Sequence, residues 1–173
     1  MMTDLYQFTM MYGYYKCGKH MDNAVYDVFF RKTEEDSGYA VCAGLEQIIE
    51  LINNMHFEKE DIEYLRELNL FDEEFLAFLA DFKFTGEIYA MEEGTIVFPQ
   101  EPMLRVKAPI YQAQLVETAI LNILNHQTLI ATKASRVVRA ANGDGVMEFG
   151  LRRAQGPDAG IYGARAAIIG GCN

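Results

Sequence analysis

The residues best suited to chemistry lie together in Glu148–Gly160, EFGLRRAQGPDAG, where Arg152 and Arg153 follow a Phe149-Gly150 pair. Two adjacent arginines in an acidic chain call for an anionic partner. The guanidinium fork binds a carboxylate or phosphate bidentately, and a helix starting near Asp158 to Ile161 adds backbone N–H donors at its positive end. A bound phosphate or carboxylate would satisfy both. The plain alternatives are that each arginine pairs with a surface glutamate and that Phe149 is an ordinary core ring. Locally, VMEFG reads as a short strand, LRRAQGPDAG as a polar basic loop and IYGARAAII as a small-residue helix. Such a β-loop-α unit puts the arginines just past a strand end, where α/β folds carry their sites.

Other chemical groups have simpler readings. Glu58, Glu60, Asp72, Glu73 and Glu74 stand near helix starts, where the dipole favours anions, and they lack the convergent histidine or loop spacing of metal ligands. Glu34, Glu35 and Asp36 read as a solvated loop before Gly38. Lys133 and Arg136 are either surface cations of a long helix or part of an electropositive wall. His126, mid-helix in NILNHQTLI, reads as a packed or interfacial residue. Cys17, Cys42 and Cys172 are far apart without a CxxC pair, so neither a disulfide framework nor a zinc site is suggested and a reducing cytoplasm is expected.

The elements that must position these residues are legible in outline. The segment TDLYQFTMMYGYYKCG (3–18) predicts a helix capped by Thr3 or Asp4 and stopped at Gly18. Its rings, Tyr6, Phe8, Tyr12, Tyr14 and Tyr15, occupy more than one face, so cover is expected on several sides, from its own domain or another subunit. Ala24–Arg31 suits a strand. Helical spacing recurs in 44–55, 61–68 and 72–81. From Gly86 to Ala108 the pieces EIYAM, TIVF and MLRVKA, separated by Glu-Glu-Gly and by Pro99 and Pro102, predict one small antiparallel sheet. Residues 111–141 form one long helical pattern, ended by Asn142-Gly143-Asp144-Gly145.

Composition bounds the function. The 173 residues carry 15 Lys and Arg against 25 Asp and Glu, a formal charge of −10, and half are apolar. An isoelectric point near 4.7 argues against nucleic acid as the main partner, since phosphate-backbone binding draws on clustered cations. No apolar run approaches the roughly 20 residues of a membrane span, and the N-terminus has no basic-then-apolar leader. Trp is absent, but 11 Phe and 10 Tyr provide rings that pack a core or stack on a flat ligand.

In order along the chain, TDLYQFTMMYGYY, FRK (Phe30 to Lys32) with GYAVCAGLE, FTGEIYAMEEGTIVFPQEPMLRV, QTLIATKASR and EFGLRRAQGPDAG resemble the N-terminal part of nicotinate phosphoribosyltransferases. The resemblance implies an NAD-salvage enzyme that joins nicotinate to phosphoribosyl pyrophosphate, giving nicotinate mononucleotide and pyrophosphate, coupled to ATP hydrolysis (a ligase by classification) and dependent on Mg²⁺. It implies a homodimer with a shared active site, in which the pyridine ring lies between Phe149 and Tyr6 of the other subunit. Arg152 is implied near the substrate and its phosphate, Gly150 as room for close backbone approach, and Asp4 as a substrate-orienting group or a helix cap. Arg153, Arg136 and Lys133 are secondary binding candidates. No catalytic residue is implied within this chain: the family's phosphorylated histidine is expected downstream, and His20, His56 and His126 do not sit in its motif.

The fold implied is an α+β N-terminal domain leading into an incomplete α/β (TIM-like) barrel of the type II phosphoribosyltransferase kind. Residues 1–108 would form the helices and small antiparallel sheet, and 109–173 the long helix and the start of the barrel. A full barrel takes about 250 residues, so the chain reads as a truncated portion, expected to be inactive and poorly stable alone. The competing readings are a non-catalytic acidic binding or scaffold domain and a nicotinamide phosphoribosyltransferase-like enzyme. A cooperative urea transition together with measurable turnover by this chain would overturn the expectation of an inactive, weakly folded fragment.

Overall fold

The computed structural model describes residues 2–31 and 38–173; Lys32 of the FRK motif and the acidic run Glu34 to Asp36 lie outside it. Packing divides the chain into two compact units, neither continuous in sequence: Met1–Tyr26, Ile48–Ile88 and Arg105–Ile120 in the first, and Asp27–Gln47, Tyr89–Leu104 and Leu121–Asn173 in the second.

In the first unit, α1 (Leu5–Lys16) starts after Asp4, whose backbone is extended, and ends where Gly18 turns left-handed at φ 68°. The Gly18 N–H donates to the Tyr15 carbonyl (3.0 Å) and the Lys19 N–H to the Tyr14 carbonyl (2.8 Å), the paired bonds with which a glycine closes a helix C-terminus. The helix α3 (Lys59–Glu67) is followed by α4 (Glu73–Ala80), where Asp72 Oδ1 accepts from the Phe75 N–H at 3.0 Å as the N-cap. The guanidinium of Arg66 grips Glu73 through Nε (2.7 Å) and Nη2 (2.9 Å). The core joins Phe8 and Met11 of α1, Leu65 of α3, Phe75 and Leu79 of α4, and Tyr111 and Leu115. Tyr12 and Tyr15 pack against that cluster, whereas Leu5, Tyr6 and Met10 stay exposed. Thus α1 is covered on one side by its own unit.

The helix α5 (Ile110–Ala140) runs for 31 residues, and Asn142 and Gly143, both at positive φ, turn the chain after it. Within the second unit the two-residue strands β2 (Ala40–Val41) and β4 (Ile96–Val97) pair antiparallel, Ala40 opposite Val97 and Val41 opposite Ile96. The strand β2 is also tied to α5. The Val41 N–H donates to Thr132 Oγ1 at 2.9 Å and the Ala43 N–H to Thr128 Oγ1 at 3.3 Å, so hydroxyls one helical turn apart satisfy a buried backbone.

Two local expectations are corrected. The stretch 86–108 is not one sheet. The strand β4 goes to β2, while β3 (Glu87–Ala90) and β5 (Leu104–Pro109) join β1 (Asn23–Val28) in a three-stranded sheet ordered β1-β5-β3. Leu104, Val106 and Ala108 are buried in alternation along the central β5, and the interval holding Pro99 and Pro102, which lack a ladder N–H, stays outside any strand. Secondly, VMEFG is not a strand. Strands need a ladder partner. Val146 instead spends both backbone groups on Asn173, its N–H donating to Oδ1 (3.1 Å) and its carbonyl accepting from the Asn173 N–H (2.8 Å). Arg152 and Arg153 therefore sit in a single 3-10 turn, Leu151–Arg153. The following helix α6 (Pro157–Ile169) begins four residues earlier than IYGARAAII, with Pro157 at its first position.

The small residues of α6 let it approach α5 closely. A Cβ on Gly170 would lie 2.4 Å from the Ala131 carbonyl oxygen and 2.7 Å from Ala134 Cβ. A salt bridge works on another side of α6. Arg165 Nη1 donates to Glu93 Oε1 (2.9 Å) and to Gln127 (3.2 Å), Nη2 donates to Glu93 Oε2 (2.6 Å), and Glu46 also pairs with it. Glu93 Oε1 further accepts from the N–H groups of Gly44 (2.6 Å) and Leu45 (3.0 Å), at the start of α2 (Leu45–Asn54). The Arg165 guanidinium holds the Glu93 carboxyl below the usual 4.5, against the opposing effect of burial.

Gly170→Ala should destabilise the protein by about 1–3 kcal/mol, as overpacking against backbone does, read as a lower urea midpoint at unchanged slope. Because Glu93 titrates lower folded than unfolded, its contribution is fully present above about 4.5 and lost as pH falls through the depressed value. Glu93→Gln should therefore flatten the acid limb of the stability profile below that pH; an unchanged acid limb in urea melts would count against this role.

Candidate functional site

Residues 146–150 and the turn after them border a cavity of about 400 Å³ whose other walls come from α5 and α6. Phe149, Gly150, Arg152, Arg153 and Lys133 all line it, with Ala134 and Ala167 contributing small side chains. The structure thus brings together most of the binding residues expected from sequence.

Phe149 is 71% exposed, which removes the reading of it as a core ring. The Arg152 guanidinium carbon lies 5.9 Å from the Phe149 ring centroid, within reach of a cation–π contact. Among the described residues neither Arg152 nor Arg153 forms an ion pair. The turn itself is fixed by its backbone: the Arg153 N–H donates to the Gly150 carbonyl (2.8 Å) and the Ala154 N–H to the Leu151 carbonyl (3.2 Å). The Gly150 N–H donates to Glu148 Oε1 at 2.5 Å, and a Cβ at Gly150 would lie 2.8 Å from the same oxygen. Cys172 also lines the cavity, but burial and the neighbouring Glu148 push its thiol up, away from a reactive thiolate.

Asp4 and Tyr6 make their own cluster in the first unit. Asp4 Oδ2 accepts from Thr118 Oγ1 at 2.8 Å, the Asp4 N–H donates to Gln7 Oε1 (3.3 Å), and the Asp4 carbonyl accepts from the Gln7 N–H (3.1 Å). Asp4 thus occupies the N-cap position of α1. The Tyr6 hydroxyl donates to Glu117 Oε2 at 3.3 Å while about half the residue stays exposed. Partial desolvation and the Glu117 carboxylate push the Tyr6 phenol up. Gln7, fully buried, donates to the Gln114 carbonyl at 2.8 Å and anchors the helix start. Tyr6 is therefore a half-exposed ring on a fixed base rather than a core tyrosine.

The remaining candidates are engaged elsewhere. The Arg136 guanidinium stands 5.6 Å above the Tyr39 ring. His126 Nε2 lies 3.2 Å from the Ala159 carbonyl oxygen, joining α5 to the first turn of α6. His56 is exposed between the Asn54 carbonyl (2.7 Å) and Glu58 (2.6 Å). His20 stands among the rings of Tyr15 and Phe78, at 5.0 and 5.1 Å between centroids. Among the described residues no group of three or more His, Cys, Asp or Glu side chains could hold a metal ion, and no helix is long and apolar enough to cross a membrane.

Sequence reading missed Glu93 and Arg165, and the Gln7–Gln114–Glu117 support of Tyr6. Glu93 looks like part of a turn and Arg165 like a helix-surface cation. Their 72-residue separation leaves no local signal. What the cavity can do chemically follows from its walls: an exposed aromatic face accepts a flat ring, and three cationic side chains beside it favour an anionic group on that ring or its partner.

The family model for the nicotinate phosphoribosyltransferase (NAPRTase) N-terminal domain matches residues 1–125. A nicotinate phosphoribosyltransferase of Bacillus subtilis is 48% identical over 169 residues, 98% of this chain and 34% of that protein. One from Mycobacterium tuberculosis is 44% identical, over 98% of this chain and 36% of that protein. The crystal structure of human nicotinic acid phosphoribosyltransferase superposes with a TM-score of 0.92 at 32% identity, covering 99% of this chain and 35% of that one. The chain spans about a third of the length of the curated relatives it matches. With the match extending from the α1 motif through the first half of α5, this mixed α/β chain belongs to the nicotinate phosphoribosyltransferase N-terminal domain family.

Proposed function

We propose that this chain supplies the pyridine-binding part of a nicotinate phosphoribosyltransferase acting in NAD salvage. The observation that carries the reading is the exposed Phe149 ring, with the Arg152 guanidinium beside it, on the wall of a cavity that Lys133 and Arg153 also border. A pyridine carboxylate matches both halves of that wall: the ring stacks on Phe149 and the carboxylate, or the phosphate of the ribosyl donor, meets the arginines. Family membership supports the choice among flat anions.

On this reading the pyridine nitrogen forms a bond to C1 of phosphoribosyl pyrophosphate as the C1–oxygen bond to pyrophosphate breaks, giving nicotinate mononucleotide. The residues described here bind and orient; Phe149 holds the ring plane, and Arg152 fixes the anion so that the nitrogen faces the donor. The second aromatic face is Tyr6 of the partner subunit in a homodimer, and its half-exposed ring, supported through Glu117, suits that role. Residues 109–173 begin an α/β barrel, in which segment 145–150 gains strand neighbours. The reading extends to ATP coupling and Mg²⁺. No cluster among the described residues fits a metal.

Calorimetric titration of nicotinate and nicotinamide into the chain and its Phe149→Ala variant tests this. A stacked aromatic pair is worth about 0.5–1.5 kcal/mol beyond its buried area, so the variant should bind nicotinate roughly tenfold more weakly. Nicotinamide, without the charge, should bind the unaltered chain less tightly. Equal nicotinate affinity in both proteins, or no binding by either, would overturn the assignment of the pocket.

A further inference from the structure

We propose that Glu93 and Arg165 are positioning residues for this site: their paired side chains fix α6, and α6 in turn fixes the turn that carries Phe149 and Arg152. For its ligand the inference rests on the nicotinate reading above.

The chain of contacts is short. Arg165 is held through both terminal nitrogens by Glu93, and through Nη1 by Gln127, which is itself fully buried and donates to Gln47 at 2.7 Å. A bidentate guanidinium–carboxylate pair fixes orientation as well as distance, so α6 is set in rotation about its axis. Two residues further on, Ala167 lines the cavity, about 200° round the helix from Arg165 at 3.6 residues per turn. The clamp and the cavity thus lie on opposite faces of α6, and any shift of the helix is a shift of the cavity wall.

At the N-terminal end, α6 carries the turn. A Cβ on Gly160 would come 2.3 Å from Leu151 Cδ1 and 3.5 Å from Ala154 Cβ. Leu151 therefore seats directly on the first turn of α6, with Arg152 next to it in sequence and Phe149 two residues before it. His126 adds a tie at Ala159 from α5. Segment 145–150 has no ladder of its own, so the seat of Leu151 and the Val146–Asn173 bonds are what locate the Phe149 ring. A binding side chain needs placement within about 0.5 Å from its supporting shell, and Glu93–Arg165 provides that support from behind.

Three variants separate positioning from bulk stability. In Glu93→Gln the amide oxygen still accepts from Gly44 and Leu45 but no longer matches the guanidinium fork; Arg165→Met removes the charge and keeps the stem; Arg165→Lys keeps the charge without the fork. Amide hydrogen exchange across 150–160, measured without ligand, should rise at least tenfold in Glu93→Gln and Arg165→Met, and less in Arg165→Lys. Exchange in α3 and α4 should be unaltered, which also shows that each variant is folded. Nicotinate affinity should fall at least fivefold in the first two variants.

Unchanged exchange at 150–160, with only a lower melting point or loss confined to 44–46, would overturn the proposal whatever the ligand does. If exchange rises as expected but the unaltered chain binds no nicotinate, positioning stands and the nicotinate reading fails. If exchange rises and nicotinate binds all variants equally, the clamp does not position this site.

Discussion

The contact on which the second unit depends is the near-backbone approach of α6 to α5, where there is room for hydrogen but not for a methyl group at Gly170. Close approach of two helices needs small residues on the facing surface, and Gly163, Ala166, Ala167 and Gly170 supply them on α6 against Ile130, Ala131 and Ala134. Two consequences follow. The guanidinium of Arg165 comes within hydrogen-bond range of Gln127 on α5, and Ala134 and Ala167 both end up lining one cavity. Larger side chains would part the helices, lengthen the first contact and fill the second.

The long helix α5 also shows how a buried element keeps its polar groups satisfied. Gln112, Gln114, Gln127, Thr128 and Thr132 are all buried, and an unpaired polar group at such positions would cost about 1–3 kcal/mol. Each has a partner: Gln112 meets Thr85 and the Lys83 carbonyl, Gln114 meets Glu117 and Gln7, and the threonines meet the backbone of β2 and the residues after it. These bonds specify register, since rotating α5 by one residue would break them together. The short strand β2 gains a hydroxyl-lined neighbour in place of a second full strand.

Around the cavity the balance is reversed. Phe149, Met147 and Leu151 expose most of their apolar surface, and among the described residues Arg152 and Arg153 form no ion pair. Apolar rings and cations left open side by side on an otherwise well-satisfied fold are the signature of a surface shaped for a ligand or for further chain. The support of Tyr6 has the same character: its hydroxyl is held by Glu117 while the ring remains open.

The amino-acid order alone determined the elements whose signals are local. The α1 start at Thr3 or Asp4 and its Gly18 stop, the α4 start near Asp72 and the uninterrupted spacing of α5 depend on residues within a few positions of one another, and so does the cluster Phe149, Gly150, Arg152 and Arg153, close together in the chain. Only the tertiary structure decided which strands pair, because β2 and β4 are too short to carry a periodic signal and 86–108 divides between two sheets. It likewise left VMEFG without a ladder, since strand propensity has no effect where no partner edge is present. The pairing of Glu93 with Arg165 is of the same kind: a carboxylate and a guanidinium 72 residues apart meet only when α6 has settled on α5, and nothing in either local sequence distinguishes them from surface charges.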